Sequence, residues 1–187
     1  RIENEYRRLG FNDAEVELVS GVADDDAVSI AVQVAEGTQQ ILRDVEMSGL
    51  EITRGTVISE ALRFELGKPV DLDEWALARK RLYDTNVFRL VDIQPQPIGD
   101  PVNGAQPVKA VIRIEEYPEW SFRYGFQLEG ERRLELEEFT STRNAGVVSE
   151  LRNPNLFGRA LTLGLFGMYQ YDRRDATVFL ATSRLFG

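Results

Sequence analysis

From Trp120 onward the chain alternates in the period of an extended strand, with Trp120, Phe122, Tyr124, Phe126 and Leu128 on one side and Ser121, Arg123, Gly125, Gln127 and Glu129 on the other. A soluble sandwich strand and a membrane strand between lipid and a wet lumen both fit that run, whose length is close to the about 9 to 11 residues a tilted membrane strand needs. The pattern downstream of Leu128 favours the membrane reading. A polar loop is expected over 131–143, a second strand over Ala145–Arg152 with Val147 and Leu151 on one side, and a tight turn over Asn153-Pro154-Asn155-Leu156-Phe157-Gly158-Arg159. Leu161, Leu163, Leu165, Gly167, Tyr169 and Tyr171 then alternate with Ala160, Thr162, Gly164, Phe166, Met168 and Gln170, and Asp172–Asp175 leads to a fourth strand over Thr177–Leu185. Long and short loops in alternation are the rhythm of an up-and-down antiparallel meander.

The first part mixes periods. Ile2–Leu9 reads as a helix end stopped by Gly10, Ala14–Val19 and Val28–Val34 as strands joined through Asp24-Asp25-Asp26, and Gln40–Met47 as a further strand. Thr56 is expected to cap a helix reaching about Leu66, with Gly67 as its stop. Asp71 or Asp73 is expected to cap a second helix, with Trp75, Leu77, Ala78 and Leu82 inward and Arg79, Lys80 and Arg81 largely outside. Phe88–Ile93 reads as a strand, 95–107 as a long loop, and Val108–Ile114 as the closing strand. Residues 40–116 thus form a β-α-α-β-β unit. Val28–Glu36 matches Val108–Glu116 at an offset of 80, and Tyr6–Phe11 matches the approach to Phe88 at an offset of 77, so the opening segment reads as the second half of the same unit.

Charge supports a boundary near Tyr117-Pro118: residues 1–117 hold 13 Lys and Arg against 22 Asp and Glu, whereas residues 118–187 hold nine of each. The absence of Cys and His from the 187 residues excludes disulfides, thiolate nucleophiles, Ser-His-Asp triads and imidazole metal sites. A net charge of −9 argues against nucleic acid, which needs clustered Lys and Arg. No stretch reaches the roughly 20 apolar residues of a membrane helix, and no leader pattern opens the chain.

Leu42–Gly49, the two helices divided by Gly67-Lys68-Pro69-Val70-Asp71, Leu82–Phe88 with Val91 after it, and Val111–Glu116 together resemble a POTRA domain. Such modules occur in tandem on the periplasmic side of outer-membrane β-barrel assembly proteins of the BamA and TamA type. The turn Asn155-Leu156-Phe157-Gly158-Arg159 resembles the periplasmic hairpin after the second barrel strand of that superfamily, with Ala160 where most relatives have Gly, and Arg184–Gly187 resembles the approach to the next such turn. The implied fold class is α+β POTRA domains followed by antiparallel strands of a truncated transmembrane β-barrel. Its parts are the C-terminal half of one POTRA domain at 1–37, a complete one at 38–117 and the first four barrel strands at 118–187. Since four strands cannot close a membrane barrel and the family implies roughly sixteen, the chain is expected to be cut from something longer.

The resemblance implies an assembly or insertion factor in the outer membrane, its POTRA part in the periplasm. Its partners are unfolded outer-membrane protein precursors, outer-membrane lipid, and periplasmic or lipoprotein assembly subunits. A two-partner secretion transporter and a non-membrane periplasmic scaffold are the alternatives. Two backbone edges carry the candidate sites. One is the POTRA edge Phe88, Arg89, Leu90, Val91, Asp92 and Ile93, running into Pro95 and Pro97, which either accepts an extended peptide or stays idle behind those prolines. The other is the first barrel strand, Trp120, Phe122, Tyr124, Phe126 and Leu128, where unpaired amides beside lipid favour pairing with an incoming strand. The fragment itself is expected to self-associate through 120–128 or 177–185. Asp24–Asp26 reads as a solvated turn, Glu115-Glu116 and Glu135–Glu138 as strand-end and loop charge, and Trp75 as core. No catalytic constellation, metal site or cofactor motif is present in the sequence, and the protein is not expected to be an enzyme.

Overall fold

The structure, a computed structural model, describes residues 2–19, 23–24, 27–28, 31–135 and 138–182, with the backbone alone for 23–24, 27–28, 129–135 and 138–144. The fold is α+β, and the chain divides into two compact units, Arg1–Leu50 with Ile58–Asp84 and Phe88–Glu115, and Glu51–Val57 with Thr85–Val87 and Glu116–Gly187.

In the first unit, α1 (Ile2–Arg8) closes at the expected Gly10, and β1 (Glu15–Val19) is followed by β2 (Ala23–Asp24), β3 (Ala27–Val28) and β4 (Ala31–Ala35). Strands β1 and β4 pair antiparallel from Glu15↔Ala35 to Val19↔Ala31. The strand expected over Val28–Val34 is present as β3 and β4, with 29–30 outside the described residues; of the three aspartates, Asp24 lies in β2 and Asp25 and Asp26 are outside them. Tyr6 donates its phenol to Glu36 at 3.2 Å, and that hydrogen bond raises its pKa.

The rest of this unit runs β5 (Gln39–Ser48), α2 (Gly55–Leu62), α3 (Leu72–Asp84), β6 (Phe88–Pro97) and β7 (Ala105–Glu116), with sheet order β5-β7-β6 and β5 parallel to β7. Alternation in β7 sends Val108, Ala110, Ile112 and Ile114 into the core, where Leu42, Val70 and Trp75 meet the first two and Val45, Phe64 and Ile93 pack around them. Gly49 is required where β5 ends: its φ is +87°, and a Cβ there would lie 1.9 Å from the Ile114 carbonyl oxygen.

Asp71 caps α3, its Oδ1 accepting the amides of Asp73 at 2.9 Å and Glu74 at 3.1 Å. Helix α3 buries Trp75, Ala78 and Leu82, a stripe at spacings of three and four; Leu77 falls two positions from Trp75, off that stripe, and is 51% exposed rather than inward. Arg81, expected outside, is half-buried because it serves α2: its Nε donates to the Ala61 carbonyl at 2.7 Å and its Nη2 to that of Leu62 at 3.4 Å, while Glu74 balances its charge at 2.8 Å. That interaction ends α2 four residues before Leu66. Arg63 turns away at φ +54°, and Phe64 is freed to stack on Trp75 with ring centroids 5.0 Å apart. Thr56 is not the cap either, since the helix already starts at Gly55.

Two expected loops are strand instead. Pro95 and Pro97 lie within β6 and Pro107 within β7, leaving 98–104 as the connection. On the outer strand β6 the two prolines remove no ladder bond where their nitrogens face away from β7, and Pro107, in the central strand, still accepts the Ile98 amide at 2.9 Å through its carbonyl. In the second unit β8 (Ser121–Glu135) and β9 (Glu138–Asn153) pair antiparallel through Glu131↔Thr142 to Glu135↔Glu138. Residues 131–135 and 138–143 therefore extend the hairpin. Its polar residues at successive positions hide the alternation, while the backbone ladder continues regardless. A short 3-10 turn at Leu156–Gly158 precedes β10 (Leu161–Gln170) and β11 (Arg174–Thr182), giving the antiparallel order β11-β10-β9-β8. The fourth strand begins three residues before Thr177, because Arg174 already pairs with Tyr169; Ser183–Gly187, with the Arg184–Gly187 motif, lie outside the described residues.

Asp71→Ala is expected to lower stability by about 1 kcal/mol, because two α3 amides lose their cap. The check is an earlier urea midpoint in the helical circular dichroism signal, and an unchanged midpoint would contradict the capping role.

Candidate functional site: a two-sided sheet, its edges and its turn

Register assigns every residue of the meander to a face. Phe122, Tyr124, Phe126 and Leu128 of β8 align with Leu151, Ser149, Val147 and Ala145 of β9, then Leu151, Ser149 and Val147 with Leu165, Gly167 and Tyr169 of β10, and these with Val178, Ala176 and Arg174 of β11, while Leu180 stands opposite Leu163. Apart from Ser149 and from Arg174, whose guanidinium lies over the Tyr169 ring at 5.0 Å, this face is apolar, and it is open. Tyr124 is 74% exposed, Phe126 82%, Leu128 85% and Val178 71%, with Phe122, Val147, Tyr169 and Leu180 also exposed. A patch of this kind on a protein surface marks contact with another apolar phase or partner.

The opposite face carries Ser121, Arg123 and Gln127, Glu150 and Arg152, Thr162 and Gln170, interspersed with Val148, Phe166 and Met168. Arg123 stands opposite Glu150, and Arg152 Nε and Gln170 Nε2 are buried without a hydrogen-bond partner, which water or polar protein would satisfy and lipid would not. Phe179 lies over Gly164 on this side; a Cβ at Gly164 would fall 2.0 Å from the ring. The glycine thus makes room for an aromatic across the strand.

The turn between β9 and β10 is held by side chains rather than by helix or strand. Asn155 is buried and bonds twice through its amide, Nδ2 donating to Thr53 Oγ1 at 2.8 Å and Oδ1 accepting the Ala160 amide at 2.9 Å. Asn153 Oδ1 accepts the Asn155 amide at 2.9 Å, the Arg54 amide donates to the Gly158 carbonyl at 2.9 Å, and Arg54 Nε donates to that of Phe157 at 3.1 Å. Glu116 completes the clasp by taking the amides of Glu51, Ile52 and Thr53 at 3.3, 3.0 and 3.0 Å, which presents Thr53 to Asn155. Phe157, Gly158 and Ala160 all have positive φ. Gly158 has no alternative there, since a Cβ would sit 2.4 Å from the Ile52 carbonyl oxygen, whereas Ala160 is buried at φ +54° and carries the strain that a glycine would not.

The candidate edges differ in how open they are. Strands β8 and β11 are the two outer strands of the meander. In the first unit β6 is an outer strand, with Phe88 and Val91 buried, Asp92 and Ile93 partly so, and Leu90 and Arg89 outward, Arg89 pairing Glu115 at 2.8 Å. The Val91 amide donates to the Tyr83 hydroxyl at 2.9 Å, and that hydroxyl faces the Val91 carbonyl at 3.4 Å. Of the turn residues, Asn155, Gly158 and Arg159 are set into or beside the clasp, while Phe157 is 71% exposed. Sequence reasoning missed Thr53, Arg54, Glu116 and Tyr83. Thr53 lies 102 residues from its partner Asn155, so no local pattern marks it. Among the described residues no group of three or more Asp or Glu side chains converges as a metal site would require.

Ala160→Gly is expected to stabilise the turn by about 1 kcal/mol by relieving the left-handed conformation. Asn155→Ala is expected to cost about 2 kcal/mol or more because it leaves the Ala160 amide buried and unpaired. Urea unfolding of both variants checks the pair; a destabilising Ala160→Gly would contradict the turn geometry.

No protein-family model matches the sequence, nor does the sequence of any curated protein. Among solved structures, BamA from Haemophilus ducreyi lacking POTRA domains 1–3 aligns over 90% of this chain and 29% of its own, with a TM-score of 0.62 at 19% identity. CdiB from Acinetobacter baumannii aligns over 94% of this chain and 30% of its own, with a TM-score of 0.55 at 13% identity. The chain therefore spans less than a third of the length of either structure. The likeness read from its motifs holds at the level of the fold: the chain folds like the part of each of these two structures that it covers.

Proposed function

We propose that the chain is the junction of a larger outer-membrane protein that assembles or inserts other β-barrel proteins. One observation carries this: a four-stranded meander that is largely apolar and open on one face, carries most of its polar residues on the other, and ends on an outer strand, β8. Water on both sides would leave that apolar face unfavourably wet, which counts against a soluble scaffold. Lipid against one face and an aqueous lumen against the other satisfies both.

In this reading, residues 38–117 are a complete POTRA domain in the periplasm and 1–37 the end of the preceding one. Strand β8 rises from the periplasmic side at Trp120, the long β8–β9 hairpin is extracellular, and the clasped turn at 153–159 is periplasmic. Unfolded precursors reach the edge Phe88–Ile93 first and then pair with β8, whose main-chain groups gain most from a partner where no water competes. No nucleotide or cofactor enters that step. Outer-membrane lipid and periplasmic or lipoprotein subunits are the remaining partners. A secretion transporter, which shares the POTRA and barrel plan, is the second reading, favoured by the likeness to CdiB.

Joining β8 to the last strand of the full-length barrel by an introduced disulfide is expected to abolish precursor insertion, and reduction to restore it. This chain brings no Cys of its own to compete. Undiminished insertion by the oxidised protein would refute the role of β8 as a receiving edge.

A further inference from the structure

Main-chain groups of a strand point alternately to its two neighbours, so the accessible side of β6 can be counted. The Ile98 amide donates to the Pro107 carbonyl and thus faces β7, whereas the Val91 amide, seven positions earlier, faces the Tyr83 hydroxyl on the other side. Counting by twos from Val91 puts Ile93, Pro95 and Pro97 on that same outer side. Two of these four positions are prolines, which accept but do not donate, and a third has its donor engaged by Tyr83 at 2.9 Å with the carbonyl facing the same oxygen at 3.4 Å. From Val91 onward Ile93 offers both groups, and the same count toward the N-terminus adds Arg89.

We infer that the Tyr83 hydroxyl is a displaceable bolt on the β6 edge, which admits only a short extended segment and only when that segment takes over the main-chain groups of Val91. This rests on the proposed role of Phe88–Ile93 as a receiving edge and adds how access to it is regulated. The bolt can move. Tyr83 sits in the last turn of α3 and is 39% exposed, so its ring has solvent to swing into, and a strand that pairs with Val91 replaces both of its contacts. The prolines set the length: opposite Pro95 and Pro97 an incoming strand finds carbonyls for its amides but no donors for its own carbonyls. Full pairing therefore ends at Ile93, with Arg89, Val91 and Ile93 as the outward positions before the prolines, and the remainder of the guest must keep its carbonyls hydrated. An edge built this way resists lasting association with another sheet yet yields to a strand that competes locally.

The test compares the full chain with its Tyr83→Phe variant, which keeps the ring and removes only the oxygen. Amide hydrogen exchange at Val91 is expected to speed up by about tenfold in the variant, the size of one net hydrogen bond, with the amides facing β7 unchanged. A synthetic peptide of the sequence Trp120–Leu128 serves as the extended guest. It is expected to bind the variant several-fold more tightly than the parent chain and to protect the Val91 and Ile93 amides. Unchanged exchange at Val91 would overturn the bolt itself. Faster exchange with equal peptide affinity would overturn its control of access. Faster exchange with no protection of β6 by the peptide in either protein would instead overturn β6 as a receiving edge, and with it the regulation inferred here.

Discussion

Beside lipid, every main-chain amide must find its partner in another strand, and in the proposed reading that one requirement organises the second half of this protein. Leaving such a group unpaired in an apolar medium costs several kcal/mol, so a strand there is either paired or strongly receptive. The meander β8–β11 satisfies the rule internally through continuous antiparallel ladders and leaves it open along its outer strands. Its side chains are largely sorted accordingly: most exposed rings and aliphatic groups on one face, most charges and amides on the other. In the proposed reading, the same property that makes β8 unstable as an edge makes it useful as a template.

The first unit solves the opposite problem. An edge strand in water pairs indiscriminately unless something blunts it, and β6 is blunted by two prolines and by a tyrosine hydroxyl delivered from α3. Its core is ordinary by comparison, built on the alternating positions of β7 against the Trp75, Ala78 and Leu82 stripe. The clasp in the second unit has a different character again. Thr53, Glu116 and Asn155 spend polar side chains on main-chain groups of loops, which fixes the turn without a helix or sheet to do so.

Much of this is legible in the sequence. Strict alternation from Trp120 to Leu128 defines a strand and its two faces, the Asp71 cap defines the start of α3, and the segment Asn153–Arg159 announces a turn by its Pro, Gly and paired Asn. What stays hidden depends on residues far apart in the chain. Helix α2 stops early because Arg81 reaches back to its last carbonyls, a tertiary interaction that no local propensity contains. The β8–β9 hairpin continues through polar sequence because hydrogen bonding, unlike hydrophobic patterning, ignores side-chain identity. Glu116 reads as strand-end charge until three amides from 51–53 are seen to converge on it. Ala160 shows the reverse: its departure from glycine is visible in sequence, and the positive φ at that site gives the departure its physical meaning.

The most direct test of the two-sided sheet is accessibility mapping with single cysteines along β8 of the full-length protein in native vesicles. Probes at Phe122, Tyr124, Phe126 and Leu128 are predicted to respond to a quencher carried in the acyl chains, and those at Arg123, Gly125 and Gln127 to a water-soluble thiol reagent. Equal reaction of both sets with the water-soluble reagent would contradict the account.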